Sequence, residues 1–405
     1  MVVLLKIGAV ILVLLYLIRK KWDLGLVLFL DSILTAVLFR LKIRDFGTNV
    51  FGALIAGETL TLVGVLILVL YLGHFLQAGG HFRRMVDALK NLVHDPRLIL
   101  GIPSAFIGLL PMMAGAMMGA PIVDEAARRW NLSPAWKTFF NYWFRHIWEY
   151  SWPLYMNLIL AAAIFHIPIK RICFTQFPFT VLAAAAGLVV LYRNVPYLPP
   201  EERNGWSVKD VVRVFWSIWP IVLTILLIFV FRLNMLLALA ISSVLSLIFT
   251  TLSFEERWKA VLKSLSPKII LLTASLMVFK RILEVSGALD SVVRVFPPHG
   301  VTAYLLLFAA PFFVALLTGV NQAFVAIAFP LLLPIIGKGQ PDMILLMFAY
   351  VSGFCGILLS PAHLCLALTA DYFKAELRDV YKILIWPVSA IFTAALAVLI
   401  ITRIF

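Results

Sequence analysis

The chain has 405 residues, 63% of them hydrophobic and only 13% charged, with a mean hydropathy of +1.01. So little polar surface cannot cover a core of that size, which excludes a water-soluble globule and makes lipid the solvent. The formal net charge of +14 sits in short loops between apolar runs and not in a basic stripe, which argues against a nucleic-acid partner and for the cytoplasmic loops of a membrane protein.

A spanning helix needs roughly 20 apolar residues. In chain order the first candidate runs from 2 to 18; it is closed by Arg19, Lys20 and Lys21 and has no small-residue cleavage site, so it reads as a retained helix and not a signal peptide. Spans at 24 to 39 and 50 to 78 follow, carrying Asp31 and Glu58, each of which could pair with Lys6 or serve a scaffold contact. The stretch from Leu98 to Val123 is apolar but holds Gly101, Gly108, Gly115 and Gly119 with Pro103, Pro111 and Pro121, so it cannot stay helical throughout and fits a re-entrant hairpin. Spans at 137 to 167 and 173 to 192 complete the first half. The second half offers 213 to 231, 233 to 252 and 266 to 285, then an uncharged stretch of about 36 residues from Val301 to Ile336, too long for one span and too short for two with a loop. It also fits a re-entrant hairpin. Spans at 341 to 371 and 380 to 402 close the chain. Cys173, Cys355 and Cys365 lie in these apolar stretches without C-x-x-C spacing and read as packing residues, not a disulfide or zinc framework.

The fold expected is therefore an all-α polytopic membrane protein of about ten transmembrane helices plus two re-entrant hairpins. If both hairpins return to their own side, the loop Lys and Arg divide 21 against 12; if both cross, 17 against 16. The positive-inside rule prefers the first arrangement, in a cytoplasmic membrane with both termini outside. A shift of about 207 positions lays Leu70–Gly80 over Met277–Gly287 and Gly108–Pro121 over Ala315–Pro330, and brings Ser151–Pro153 to Ser360–Pro361. Two repeats follow, 1–200 (hairpin 97–131, broken helix 137–167) and 201–405 (hairpin 300–337, broken helix 341–371). With five crossings each, the second is inverted in the membrane.

Freed N–H and C=O groups are costly in lipid and must meet protein, water or ligand. Where a hairpin tip meets a helix break, half-helix N-termini suit anions and carbonyl ends suit cations. In FRHIWEYSWP (Phe144–Pro153), Arg145, His146 and Glu149 lie inside a span just before its break. Arg145 and Glu149, four apart, either neutralise one another as a structural pair, or Arg145 grips an anionic group while Glu149 or His146 carries a coupling proton. Ser151 and Asn157 near the first break, Ser360 and His363 near the second, and Gly115, Thr318, Asn321 and Gln322 at the tips complete the candidate substrate-binding set. The aromatic run Trp136–Trp148 reads as interfacial belt and packing. Without H-E-x-x-H, G-x-S-x-G or a Walker A loop, hydrolytic and ATP-driven chemistry have no sequence support, and transport is expected instead of enzymatic activity.

The tip-plus-break pairs around GLLPMMAGAMMGAP and LLTGVNQAF, followed by Ser-Trp-Pro and Leu-Ser-Pro, resemble the ion-transporter superfamily of divalent-anion, citrate, gluconate and lactate carriers, and most closely an uncharacterised prokaryotic integral-membrane family within it. The resemblance covers the layout from about residue 50 onward. It implies a homodimer, a fixed scaffold with a transport domain moving as an elevator, and a sodium or proton gradient as the energy source. The dicarboxylate carriers place a Ser-Asn-Thr set at each tip; here only the second tip has side-chain donors, and the first offers backbone alone. A sodium ion at that tip would need carbonyl oxygens near Ala114, Gly115 and Thr318. No organic cofactor is expected. A cation/proton antiporter, with Glu149 and His146 as coupling groups, is the alternative within transport, and a membrane-embedded enzyme acting on a lipid-accessible substrate through His146, Glu149 and His363 is the alternative outside it.

Overall fold

The computed structural model describes residues 2–109, 115–199, 207–296 and 300–404, and all regular structure within them is helical. The first half contains α1 (Val2–Arg19), α2 (Leu24–Leu38), α3 (Ile43–Ile55), α4 (Gly57–Ala78), α5 (His81–Leu92), α6 (Ile102–Gly108), α7 (Ala116–Ala127), α8 (Pro134–His146), α9 (Met156–Phe165) and α10 (Ile169–Asn194). The second contains α11 (Val208–Phe229), α12 (Met235–Ile248), α13 (Phe254–Ser264), α14 (Pro267–Val285), α15 (Ala288–Val295), α16 (Val301–Thr318), α17 (Asn321–Ile336), α18 (Met343–Leu358), α19 (Leu364–Phe373) and α20 (Leu377–Ile404). Six described segments are long and apolar enough to cross a membrane: Gly57–Ala78, Ile169–Asn194, Val208–Phe229, Phe254–Val285, Val301–Thr318 and Leu377–Arg403. The shorter apolar helices α2, α9, α12, α17, α18 and α19 accompany them.

Local chemistry sets the helix ends. Asp23, Asn234 and Asp342 accept from the first free N–H groups of α2, α12 and α18, and Ser253 with Glu256 forms a capping box on α13. Gly80 and Gly287 take the left-handed conformation, with φ of 63° and 73°, at the entry to α5 and α15. The apolar run from 50 to 78, expected as one span, is the end of α3 and the whole of α4. Ala56 between them is extended (ψ 135°), and the Thr59 hydroxyl donates to the Ala53 carbonyl at 2.6 Å, satisfying an acceptor that the break leaves open.

Helices of the two halves pack on one another reciprocally. α2 and α3 lie on α14, as α12 and α13 lie on α4; α9 meets α17 as α19 meets α7; α8 meets α20 as α18 meets α10. Gly25 lets α2 approach α14 closely, since a Cβ there would stand 2.6 Å from the Leu272 backbone nitrogen. α17 and α18 are buried almost all round, the pattern of helices in the middle of a bundle. Large apolar side chains are exposed on the outer helices, among them Leu12, Phe51, Phe174, Phe215, Val244, Leu305 and Ile385, as a lipid solvent requires.

Neither acid expected near Lys6 pairs with it. Glu58 meets His166 Nδ1 at 3.2 Å, and Lys6 lies over the Phe39 ring. Asp31 is buried on α2 with no partner for either carboxylate oxygen among the described residues. Asp371 is exposed and pairs with Lys374, a solvated helix end.

Candidate functional site

α8 runs into a short 3-10 turn, Ile147–Tyr150, and the chain then leaves helical geometry until α9 begins at Met156. Pro153 lacks the N–H that continued helix would need, and Trp152 before it is turned away from the helical region by the proline ring. In the second half the chain breaks between α18 and α19, around Ser360–His363, where Pro361 has the same effect. Tyr155 and His363 are the N-cap residues of α9 and α19. Both reach a hairpin carbonyl: the Tyr155 hydroxyl donates to Gly108 O at 2.5 Å, at the end of α6, and His363 Nδ1 lies 2.8 Å from Gly319 O, at the end of α16.

Glycine is required at these contacts. A Cβ on Gly108 would sit 2.3 Å from the Arg145 carbonyl oxygen, and one on Gly319 2.4 Å from the Ala362 carbonyl carbon. Gly319 also holds a φ of +65°, which lets α16 reverse into α17 across only Gly319 and Val320. Each hairpin is thereby seated against the break of its own half by backbone-to-backbone contact.

Between the two breaks lies a buried polar cluster. Arg145 Nη1 donates to Glu149 Oε1 at 3.1 Å, and both side chains are within a few per cent of complete burial. Asn321 Nδ2, from the first residue of α17, donates to Glu149 Oε2. The Glu149 main-chain carbonyl accepts from Tyr350 Oη at 2.7 Å, and Tyr350 Oη in turn accepts from Asn157 Nδ2 at 2.5 Å. His146 Nε2 lies 3.7 Å from Glu149 Oε1 and 3.1 Å from His363 Nε2. Gly115 closes the far side of Arg145: a Cβ there would stand 3.0 Å from its Nε. A second net joins the first hairpin to both breaks: Asn141 on α8 accepts from Ser104 on α6 and donates to Ala116 O on α7, both at 2.8 Å, and reaches Thr369 on α19 at 3.4 Å.

The residues expected from sequence thus fall into two groups. Arg145, His146, Glu149, Asn321 and His363 are brought together, with Gly115 against Arg145 and Asn157 joined through Tyr350. Ser151 instead bonds Thr180 on α10, Ser360 donates to Leu316 O, and Thr318 donates to Val314 O, all at 2.7 Å, so these three repair local backbone or fasten elements. Gln322 reaches the Met156 sulfur. Ala114, with Pro111, Met112 and Met113 of the first tip, lies outside the described residues. The aromatic run is internal packing: Phe139, Phe140, Tyr142 and Trp143 are buried, and Phe139 stacks on Trp143.

Three participants were missed in the sequence. Tyr350 and Asn141 sit mid-helix in apolar or aromatic runs and carry no local signal. Cys365 follows His363 by two residues, and one ligand atom from each of His146, His363 and Cys365 lies within 4.8 Å of the others. The His-x-Cys pair at the second break was its signal. The open cleft lined by His81, Arg84, Asp87, Trp216 and Ser217 shares no residue with this cluster, which is enclosed.

A helical bundle with a lipid-facing exterior and a buried cluster of ionisable side chains at two facing helix breaks defines a polytopic membrane protein of the cell membrane. Its closed interior has groups able to hold charge, protons or a metal ion. The chain matches, over residues 1–404, the family described as "Protein of unknown function (DUF401)", and it belongs to that family. No curated protein matches it.

Proposed function

We propose that the protein is a secondary active transporter of a small anion, an organic carboxylate or inorganic anion, with its site between the two hairpins and the two helix breaks. The observation that carries this reading is the Arg145–Glu149–Asn321 cluster: a buried Arg–Glu pair at the first break, bonded to the first residue after the second hairpin turn. Charges buried at membrane depth are costly to keep and are associated with solute and ion pathways. The arginine fork suits a carboxylate or oxyanion, which would take over the bonds that Glu149 makes in the closed state.

The reading includes two inverted repeats, 1–200 and 201–405, whose matched order of ten helices each and reciprocal packing support it. Exchange of the two conformations would give alternating access, with α6–α10 and α16–α20 as the moving part of an elevator in a homodimer. The charge split supports an orientation with both termini outside. Glu149, with His146 beside it, is the coupling group. Protons are favoured over sodium at the first tip, because Gly115 lies against the Arg145 guanidinium, where a second cation would be repelled.

The test is uptake into proteoliposomes under a pH or sodium gradient, with acetate, lactate, citrate, sulfate and phosphate as probes. Wild-type protein should accumulate at least one of them, and Arg145→Gln should abolish that uptake. The closed Arg145–Glu149 pair also favours a second reading, a cation/proton antiporter in which Arg145 is a counter-ion only. Proton–cation exchange surviving in Arg145→Gln, with no anion uptake by the wild type, would select it.

A further inference from the structure

We infer that His146, His363 and Cys365 form a binding site for one zinc-class divalent transition metal, held between the two helix breaks.

The geometry begins with the rings' other nitrogens. His146 Nδ1 lies 2.6 Å from Tyr142 O, and His363 Nδ1 lies 2.8 Å from Gly319 O. A carbonyl can only accept, so each Nδ1 carries the proton and each neutral ring presents a bare lone pair at Nε2. Those two Nε2 atoms face each other at 3.1 Å. Two lone pairs at that distance repel unless something positive sits between or beside them. The separation is close to the roughly 3.3 Å expected between two imidazole nitrogens on one tetrahedral zinc. The same carbonyl bonds are the outer-shell contacts that fix the tautomer and ring plane of metal-ligating histidines.

Cys365 supplies the third ligand. It lies in the first turn of α19 and is buried beside both rings. On metal binding its S–H proton leaves to solvent, the sulfur–metal bond forms, and no electrons are transferred. Glu149 Oε1, 3.7 Å from His146 Nε2, is placed to be the fourth ligand or to balance charge. A His–His–Cys set with a carboxylate nearby selects zinc or cobalt over calcium, magnesium or sodium. Cys173 and Cys355 are also buried, but neither shares a ligand cluster with histidine among the described residues. The site draws one ligand from the first half and two from the second, so an ion there ties α8 to α19. It does not rest on the anion reading, although it shares His146 and Glu149 with the coupling group proposed there. Because metal and proton compete for His146 Nε2, bound zinc would also block proton coupling through that ring.

The experiment uses full-length protein in detergent, stripped with a chelator and titrated with Co²⁺. Expected are saturation at one ion per chain, the visible absorption of tetrahedral cobalt, and a near-ultraviolet thiolate-to-cobalt band, all reversed by Zn²⁺. Cys365→Ser, nearly isosteric, should lose the thiolate band, while Cys173→Ser and Cys355→Ser keep it. His146→Gln and His363→Gln should each weaken binding by about 10- to 100-fold or more. Zinc should also raise the wild-type melting temperature, a readout that does not depend on any variant folding. No saturable binding to the wild type, or a thiolate band that survives Cys365→Ser, would overturn the site. Either result leaves the proteoliposome test of anion uptake untouched.

Discussion

Arg145 and Glu149 are the residues on which most depends, because each is buried and bonded to the other. Removing one partner strands a charge, and breaking such a pair typically costs about 3–5 kcal/mol. Arg145→Gln and Glu149→Gln are each expected to lower the melting temperature clearly, and the double variant to lower it by less than the sum of the two. An additive cycle would mean that the two side chains do not interact in the folded protein. Asp95, outside the spans ahead of α6, gives a pH-dependent contrast. Arg97 donates to its carboxylate at 2.8–3.2 Å, which, against some opposing burial, holds it below the ordinary value of 3.8. A depressed carboxylate contributes stability that is complete above its unfolded value and fades as pH falls through the folded one. Asp95→Asn should therefore cost stability near pH 7 and lose that effect as acid protonates the wild type, measured as the difference in melting temperature between the two proteins across pH.

The hairpins and broken helices are held by close backbone approach, and their glycines are accordingly the sensitive positions. Gly108→Ala would drive a methyl group to 2.3 Å from the Arg145 carbonyl oxygen, and Gly356→Ala to 2.3 Å from that of Phe312. Backbone cannot step aside as a side-chain tip can, so each substitution is expected to destabilise by a few kcal/mol, in the range of overpacking. Gly8→Ala and Gly47→Ala, where nothing lies within 4 Å, should be neutral or slightly stabilising, since alanine is the better helix former. Thermal unfolding followed by fluorescence in detergent separates the two classes. Part of this level could be read from sequence: Pro153 and Pro361 mark the breaks, and Gly319 marks a reversal. The split at Ala56 could not, because nothing in Phe51–Leu60 except Gly52 and Gly57 disfavours helix, and the extended turn is held by Thr59 reaching back to Ala53.

At the scale of the molecule, the reciprocal packing of α2 and α3 on α14 and of α12 and α13 on α4 is what the proposed pseudo-two-fold relation of the two halves would produce. The distribution of basic loops sets the orientation expected of the assembly. Cysteines introduced at exposed Lys42 and Arg171 should react with an impermeant thiol reagent in intact cells, and those at Lys20 and Arg193 only after the membrane is opened. The native cysteines are all buried and should stay silent. The reverse labelling would invert the orientation, and reaction of Lys20 and Lys42 positions from the same side would remove the crossing of α2 and with it the inverted arrangement.

Composition alone determined the solvent and the helical class, since a chain this apolar must satisfy its backbone within itself. Pro153, Pro361 and Gly319 determined where particular helices stop, because those effects act within a turn or two of chain, although Pro121, Pro178, Pro220 and Pro311 are accommodated inside helices. Which polar groups meet was decided only by the tertiary structure. His146 and His363 are separated by 217 residues, and Asn321 and Glu149 by 172, yet they share one enclosure. Cys365 is an ordinary packing residue in its own helix and becomes a candidate ligand only when α19 is set against α8. Contacts made across the junction of two halves leave no local trace in either, which is why the sequence pointed to the breaks and their polar residues but not to the bonds between them or to Tyr350, Asn141 and Cys365.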